Sequence, residues 1–217
     1  MRKSREVFRM VSIWDKSLKS SINTCPPNQV VLVDEEDIPQ GACAKLDAHK
    51  NGGALHRAFS IFILNEECKI LLQQRAHSKY HCPGLWSNSC CSHPHPGKVV
   101  LEEAVSRLQF ELGFTTDLFH IGTCIYRVSV DNGLTEWELD HIFVGDFSGK
   151  VSPNSEEVAE VRWIALVELQ DTLVSNLSAF TPWLPYILPT FTDWFINKQD
   201  RQTMSSTQSA YVTKKQP

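Results

Sequence analysis

Residues 88–96 read NSCCSHPHP, two cysteines and two histidines within nine positions. Adjacent cysteines rarely meet the geometry of a disulfide, so Cys90 and Cys91 are not read as each other's partners. Successive residues of an extended segment face opposite ways, which sends the two thiols into different surroundings. Cys90 reads as a small buried apolar side chain. Cys91, two residues before His93, becomes a candidate proton donor or acceptor if a nearby metal or other cation raises its thiolate fraction.

Working outward, residues 99–113 place Val100, Leu101, Ala104, Val105, Leu108 and Leu112 at helical spacing, and Gly113 supplies the stop. That helix sets Arg107 and Glu111 one turn apart on one face. Further along, residues 121–130 and 136–146 flank the turn DNG and predict a hairpin. Upstream, QVVLV predicts a strand, and 55–64 with 69–75 predict a second hairpin around NEEC. A strand over 158–164 leads into a helix over 166–174, and TPWLPYILPTFTDWFI is helical in content but carries Pro185 and Pro189, which predict a kink or a break. Antiparallel connections with interspersed helices make the class α+β, a mixed β-sheet sandwiched by α-helices.

The 217 residues suffice for one domain with a sizeable core. Residues 1–27 end in CPPN and are expected to form a loosely ordered arm, 28–197 the domain, and 198–217 a polar tail too poor in apolar residues to fold alone. A net charge of -4 offers no basic field for nucleic acid, so no nucleic-acid partner is expected. Seven irregularly spaced cysteines point to a reducing cytosol. No run approaches the ~20 apolar residues of a membrane span, and MRKSREVFRM is not continued by the Arg/Ser-rich amphipathic pattern of a transit peptide. A cytoplasmic protein with no membrane partner is expected.

TEWELD, in the second hairpin, carries Glu136 and Glu138 two apart, hence on one face of a strand. Taken singly, a pair of this kind is more often a solvated face than a site. Upstream, KLDAHKNGGALHRAF places His49 and His56 on either side of a Gly-Gly turn, close enough in sequence to fold onto one ion. With His93, these residues make a set of three imidazoles and two carboxylates suited to zinc, manganese or magnesium. Lys45, Arg57, Arg75, Lys79 and Arg107 could together hold an anion, and Glu111 could hold Mg²⁺ against phosphate oxygens, a combination that suits a diphosphate.

Together LHRAFS, LLQQRAHSK, CPGLWSNSCCSHP, RLQFELG, EWE and FTPW resemble one family, the type I isopentenyl-diphosphate Δ-isomerases of the Nudix superfamily, over roughly residues 30–195. The CCSHP block after PGLW, followed by EWE, is the specific part of that likeness. The resemblance implies reversible conversion of isopentenyl diphosphate to dimethylallyl diphosphate through a tertiary carbocation, in isoprenoid biosynthesis. It implies a catalytic thiol at Cys91, an acid/base carboxylate at Glu138, a tyrosine near that acid at Tyr126 and an aromatic wall at Trp183. The implied ligands of one divalent ion are His49, His56, His93, Glu136 and Glu138. A second ion, Mg²⁺ brought with the diphosphate, falls to Glu111 and the carbonyl of Cys91, with Lys45, Arg75, Lys79 and Arg107 around the phosphates. The expected partner is this small-molecule substrate alone, and the expected state a monomer.

Against the hydrolytic box of the same superfamily, counting back from Gly113 leaves Ser106, Arg107 and Phe110 where Arg, Glu and Glu belong, and Ser92 and Lys98 at the opening Gly and first Glu. Only Glu111 survives of the acidic set, which argues against hydrolysis of a nucleoside diphosphate derivative. A non-catalytic zinc module built from Cys90, Cys91, His93 and His95 is the other alternative, and it lacks a second ligand half.

Overall fold

The computed structural model describes residues 28–213, with side chains to Asp200. The arm expected at 1–27 and residues 214–217 lie outside the described residues. The chain forms β1 (Gln29–Val33), β2 (Pro39–Ala44), α1 (Lys45–His49), β3 (His56–Leu64), β4 (Ile70–Arg75), β5 (Trp86–Ser87) and β6 (Cys90–Ser92). There follow α2 (Val100–Leu112), β7 (Phe119–Val130), β8 (Leu134–Asp146), β9 (Val158–Ile164), α3 (Leu166–Ser175) and α4 (Leu184–Thr213).

The strand β3, HRAFSIFIL, reads as a nearly unbroken apolar run because it is covered on both faces. Phe62 and Leu64 pack into a core with Leu184, Ile187, Leu188 and Phe191 of α4 and Leu169 and Leu173 of α3. Phe59, Ile61 and Ile63 point the other way, onto Ala104, Leu108 and Leu112 of α2. The mixed sheet is therefore sandwiched by helices, as expected from the sequence. β8 pairs with β3 in parallel and with β7 antiparallel, and β6 pairs antiparallel with β3.

Two expectations change in detail. The hairpin around NEEC closes only at its mouth, Leu64 opposite Ile70. Beyond it the strands separate, β3 taking β8 and β6 as neighbours while β4 takes β9 and β5. The prolines near the C-terminus do not break α4. Pro185 sits in the first turn, where an absent N–H is an orphan donor in any case, and the helix runs on past Pro189. It also runs through the expected boundary at 198, since residues 190–213 contain neither Pro nor Gly and a nucleated helix propagates.

The last turn of α2 is fixed by its surroundings. Gly113 adopts φ 78° and its N–H donates to the Gln109 carbonyl at 3.0 Å, while the N–H groups of Ser152 and Asn154 donate to the Leu112 and Glu111 carbonyls. A Cβ on Gly113 would stand 2.5 Å from the Ser152 carbonyl oxygen, whereas one on Gly133, at φ 70°, would meet nothing. Gly133→Ala is therefore expected to lose only the left-handed term, about 1–2 kcal/mol. Gly113→Ala should lose clearly more than Gly133→Ala in urea unfolding; equal losses would show that the 152–154 segment yields freely.

Candidate active site

Three adjacent strands build one row of side chains. In the β7–β8–β3 register Tyr126 lies opposite Glu138, and Glu138 lies beside His56. The Tyr126 hydroxyl donates to Glu138 Oε2, and His56 Nε2 stands 3.5 Å from Glu138 Oε1. Glu136, two residues earlier, shares this face. At 3 % and 6 % exposed, Glu136 and Glu138 are not a solvated strand face.

His49 is delivered by α1 and the turn after it. Gly53 adopts φ +80° against β8, where a Cβ would come within 3.2 Å of Thr135 and Trp137, and Arg127 Nη2 donates to the Gly52 carbonyl at 2.6 Å. The reversal leaves His49 Nε2 at 2.6 Å from Glu136 Oε2. His93, just past β6, brings Nε2 to 2.6 Å from Glu138 Oε1.

The ligand atoms of His49, His56, His93, Glu136 and Glu138 all lie within 4.8 Å of one another. Three further observations fit a divalent ion. His49 Nδ1 meets the Lys45 carbonyl at 2.5 Å and His56 Nδ1 the Ala54 carbonyl at 2.8 Å, so each ring is oriented through Nδ1–H with the Nε2 lone pair toward the cluster. His56 Nε2 and Glu136 Oε2 are buried without a hydrogen-bond partner, and the short His49–Glu136 approach is not aligned as a hydrogen bond. Burial, and after it the Glu138 charge, push the Glu136 carboxyl above its usual range, the penalty that a cation between two buried carboxylates removes. Burial also pushes the His93 imidazole well below its usual range, leaving it a neutral donor.

The cluster opens into a cleft lined also by Lys45, Arg75, Lys79, Cys91, Glu111, Arg107, Tyr126 and Trp183. Every residue singled out from the sequence for the site, Arg57 apart, is therefore in one place. Arg107 Nε donates to Glu111 Oε1 at 2.6 Å, Gln73 Nε2 donates to Glu111 Oε2 at 3.0 Å, and Arg107 and Lys79 converge on Glu157. Arg75 donates to the Cys82 carbonyl and stands 5.3 Å over the Trp183 ring, whose Nε1–H donates to Ser87 Oγ at 3.2 Å. Arg57 is elsewhere, paired with Asp37 at 2.7 Å.

Cys90 is fully buried against α2 and Cys91 opens to the cleft, the opposed orientation expected of them. The protein groups around Cys91 do not by themselves raise its thiolate fraction. Burial pushes its thiol up to about 12, against the pull of Arg75, so the surroundings hold the proton on sulfur. The alternative zinc module does not assemble: Cys90 lies in the core, and His95 pairs with Glu103 at the surface.

Three residues of the site were missed. Asp140 continues the period-two series of Glu136 and Glu138, a signal present in ELD; it is buried and accepts a hydrogen bond from Ser60 Oγ at 2.7 Å. Its carboxyl is pushed well above the usual range by burial and then by the Glu138 charge. His81 places Nε2 at 3.3 Å from Glu136 Oε1, and Glu157 joins Lys79 to Arg107. Both come from irregular segments, where no periodicity says which way a side chain points.

The NUDIX domain model matches residues 54–184. Isopentenyl-diphosphate Delta-isomerase of Burkholderia multivorans is 45% identical over 155 residues, covering 71% of this chain and 88% of that protein. The protein of the same name from Serratia proteamaculans is 43% identical over 159 residues, covering 73% and 88%. That of Pectobacterium atrosepticum is 40% identical over 179 residues, covering 81% and 99%. A crystal structure of a Deinococcus radiodurans protein superposes with a TM-score of 0.62 at 14% identity, covering 75% of this chain and 98% of that one, a likeness of fold. With the NUDIX match spanning more than half of its length and isomerases of this identity matched over most of theirs, the chain belongs to the isopentenyl-diphosphate Delta-isomerase family within the NUDIX fold.

Proposed function

We propose that the chain interconverts isopentenyl diphosphate and dimethylallyl diphosphate by adding a proton at one carbon and removing one from a neighbour, through a tertiary carbocation. The observation that carries this reading is the pairing, in one largely buried cleft, of a protonated thiol at Cys91 with a carboxylate at Glu138 that the Tyr126 hydroxyl holds in place. From that state the Cys91 thiol delivers its proton to the alkene carbon while the Glu138 carboxylate takes one from the neighbouring carbon; the reverse direction starts from the thiolate and protonated Glu138, and proton exchange with solvent resets the pair, so atoms balance without a co-reactant. The Trp183 indole lines the same cleft and supplies a π face for the cation, which has to be stabilised there without water that would trap it as an alcohol.

His49, His56, His93, Glu136 and Glu138 would hold the divalent ion, and three imidazoles among five donors suit zinc or manganese better than magnesium. Bound there, the ion supplies positive charge that lowers the basicity of Glu138. Glu111 and the Cys91 carbonyl would take the Mg²⁺ that accompanies a diphosphate, with Lys45, Arg75, Lys79 and Arg107 about the phosphate oxygens. Hydrolysis is the weaker reading, because Glu111 is the one carboxylate of the hydrolytic box that α2 carries.

Incubation with isopentenyl diphosphate and Mg²⁺ in D₂O, followed by NMR, is expected to give dimethylallyl diphosphate with deuterium in a methyl group. Phosphate release without isomer would point to the hydrolase. Cys91→Ala and Glu138→Gln should each lose on the order of 10²–10⁴-fold in turnover or more while remaining folded, and near-normal rates in either would remove that residue from the chemistry. Trp183→Leu is expected to lose about 30-fold, the rate equivalent of ~2 kcal/mol of cation–π stabilisation, and Trp183→Phe distinctly less. Equal losses would count against the aromatic role. In elemental analysis His56→Gln should lose the tightly held ion, whereas His81→Gln, outside the five-residue cluster, should keep it; the reverse pattern would displace the assigned ligands.

A further inference from the structure

Away from the cleft, two more imidazoles meet. His120 on β7 pairs with Phe143 of β8, and His141 of β8 pairs with Thr123 of β7, so in a regular ladder the two histidines would be staggered. The register shifts between His120 and Gly122, and His120 Nε2 comes to 3.3 Å from His141 Nδ1. The rings are tilted by 46°, with nitrogen facing nitrogen.

A carboxylate and a guanidinium stand behind the pair. His141 Nε2 lies 3.0 Å from Asp37 Oδ2. Asp37, in the turn between β1 and β2, is pinned in turn by Arg57, whose Nε donates to Oδ1 at 2.7 Å and whose Nη2 donates to the Asp37 carbonyl at 2.7 Å. A carboxylate at Nε2 keeps that nitrogen protonated and leaves Nδ1 as a lone pair. That lone pair is aimed at His120, which is exposed.

We propose that His120 and His141 form a second metal site, open to solvent, for a late first-row divalent ion such as Zn²⁺. Two nitrogens each bound at 2.0–2.1 Å to a tetrahedral zinc lie about 3.3 Å apart, the separation present here before any ion enters. The chain Arg57–Asp37–His141 has the arrangement that fixes the tautomer and orientation of a ligating imidazole. Water completes the coordination at the exposed side. Two imidazoles with no carboxylate or carbonyl ligand from the protein select against Mg²⁺ and Ca²⁺. An ion here ties the β1–β2 turn, through Asp37 and His141, to the β7–β8 hairpin. Because it binds the folded pair in preference to the same residues in the unfolded chain, it raises the unfolding temperature as free Zn²⁺ rises above its Kd.

The competing description of the contact is a plain imidazole–imidazole hydrogen bond. Equilibrium dialysis against Zn²⁺ in excess Mg²⁺ separates the two, using the full chain and the variants His120→Gln, His141→Gln and Asp37→Asn. The wild-type chain is expected to hold one more tight equivalent of Zn²⁺ than His120→Gln or His141→Gln, and to gain more thermal stability from it. Asp37→Asn should keep that equivalent with an affinity ten- to a hundred-fold weaker. Isomerisation by His120→Gln should match the wild type, since His120 lies outside the cleft. Should His120→Gln, altered only at an exposed side chain, bind as much Zn²⁺ as the wild type, the pair is a hydrogen bond and the site is refuted. An unweakened Asp37→Asn would overturn the part given to the carboxylate.

Discussion

The pairing of β8 between β7 and β3 is the constraint on which the rest depends. β8 is the strand that carries Glu136, Glu138 and Asp140, and its register against β3 runs over nine positions, from His56 beside Glu138 to Leu64 beside Asp146. A slip of one residue would exchange the faces, putting Trp137 and Leu139 in the cleft and the carboxylates against the opposite layer. The apolar residues of β8 and β3 hold the register, because Ile142 and Val144 belong to the core under α4 while Phe143 belongs to the core under α2. Packing chosen for the two cores thus decides, at the other end of the same strands, which side chains meet.

That arrangement brings an electrostatic burden. Three acidic groups alternate along one buried face of β8, and each costs several kcal/mol of desolvation if charged and unpartnered. Each is compensated differently. Glu138 receives the Tyr126 hydroxyl and His93; Glu136 meets His49 and His81; Asp140 takes one hydrogen bond from Ser60 and is driven toward its neutral form. Lys45 feels the same field from the other side: burial lowers its ammonium, while the charges of Glu136 and Glu138 pull it back. Nε2 of His49 and His56, Nδ1 of His93, Oε2 of Glu136 and Oδ1 of Asp140 are among the buried atoms that protein groups leave unmatched.

Most of this was legible because it rides on periodic elements. The helical spacing of Leu108 and Leu112 gives α2 and, with it, the one-turn separation of Arg107 and Glu111. The turn DNG gives the β7–β8 hairpin, and the two-residue period gives Glu136 and Glu138 a common face. The parallel contact between β8 and β3 was not legible, since it joins strands about eighty residues apart through nothing local, and the splaying of β4 from β3 has the same origin. His81 and Glu157 were missed for want of a period, and the burial of the Cys91 thiol depends on layers that the local sequence does not specify.

The character of α2 shows how one fold separates two chemistries. A helix that presents several carboxylates toward a pyrophosphate gathers more than one metal ion and can clamp both the attacking and the leaving oxygen. Here one carboxylate, Glu111, remains, and the position a turn before it is Arg107, which neutralises Glu111 directly and reaches Glu157 as well. Phe110, where the hydrolytic pattern has an acid, is half exposed and under the Arg107 guanidinium, 5.0 Å from it. The face has changed from one that recruits several metal ions to one that pairs a single acid with a cation. Such a surface can hold a diphosphate by charge and by one bridging ion without placing a nucleophile in line with it, so a diphosphate held there would survive the proton transfers proposed for Cys91 and Glu138, elsewhere in the cleft.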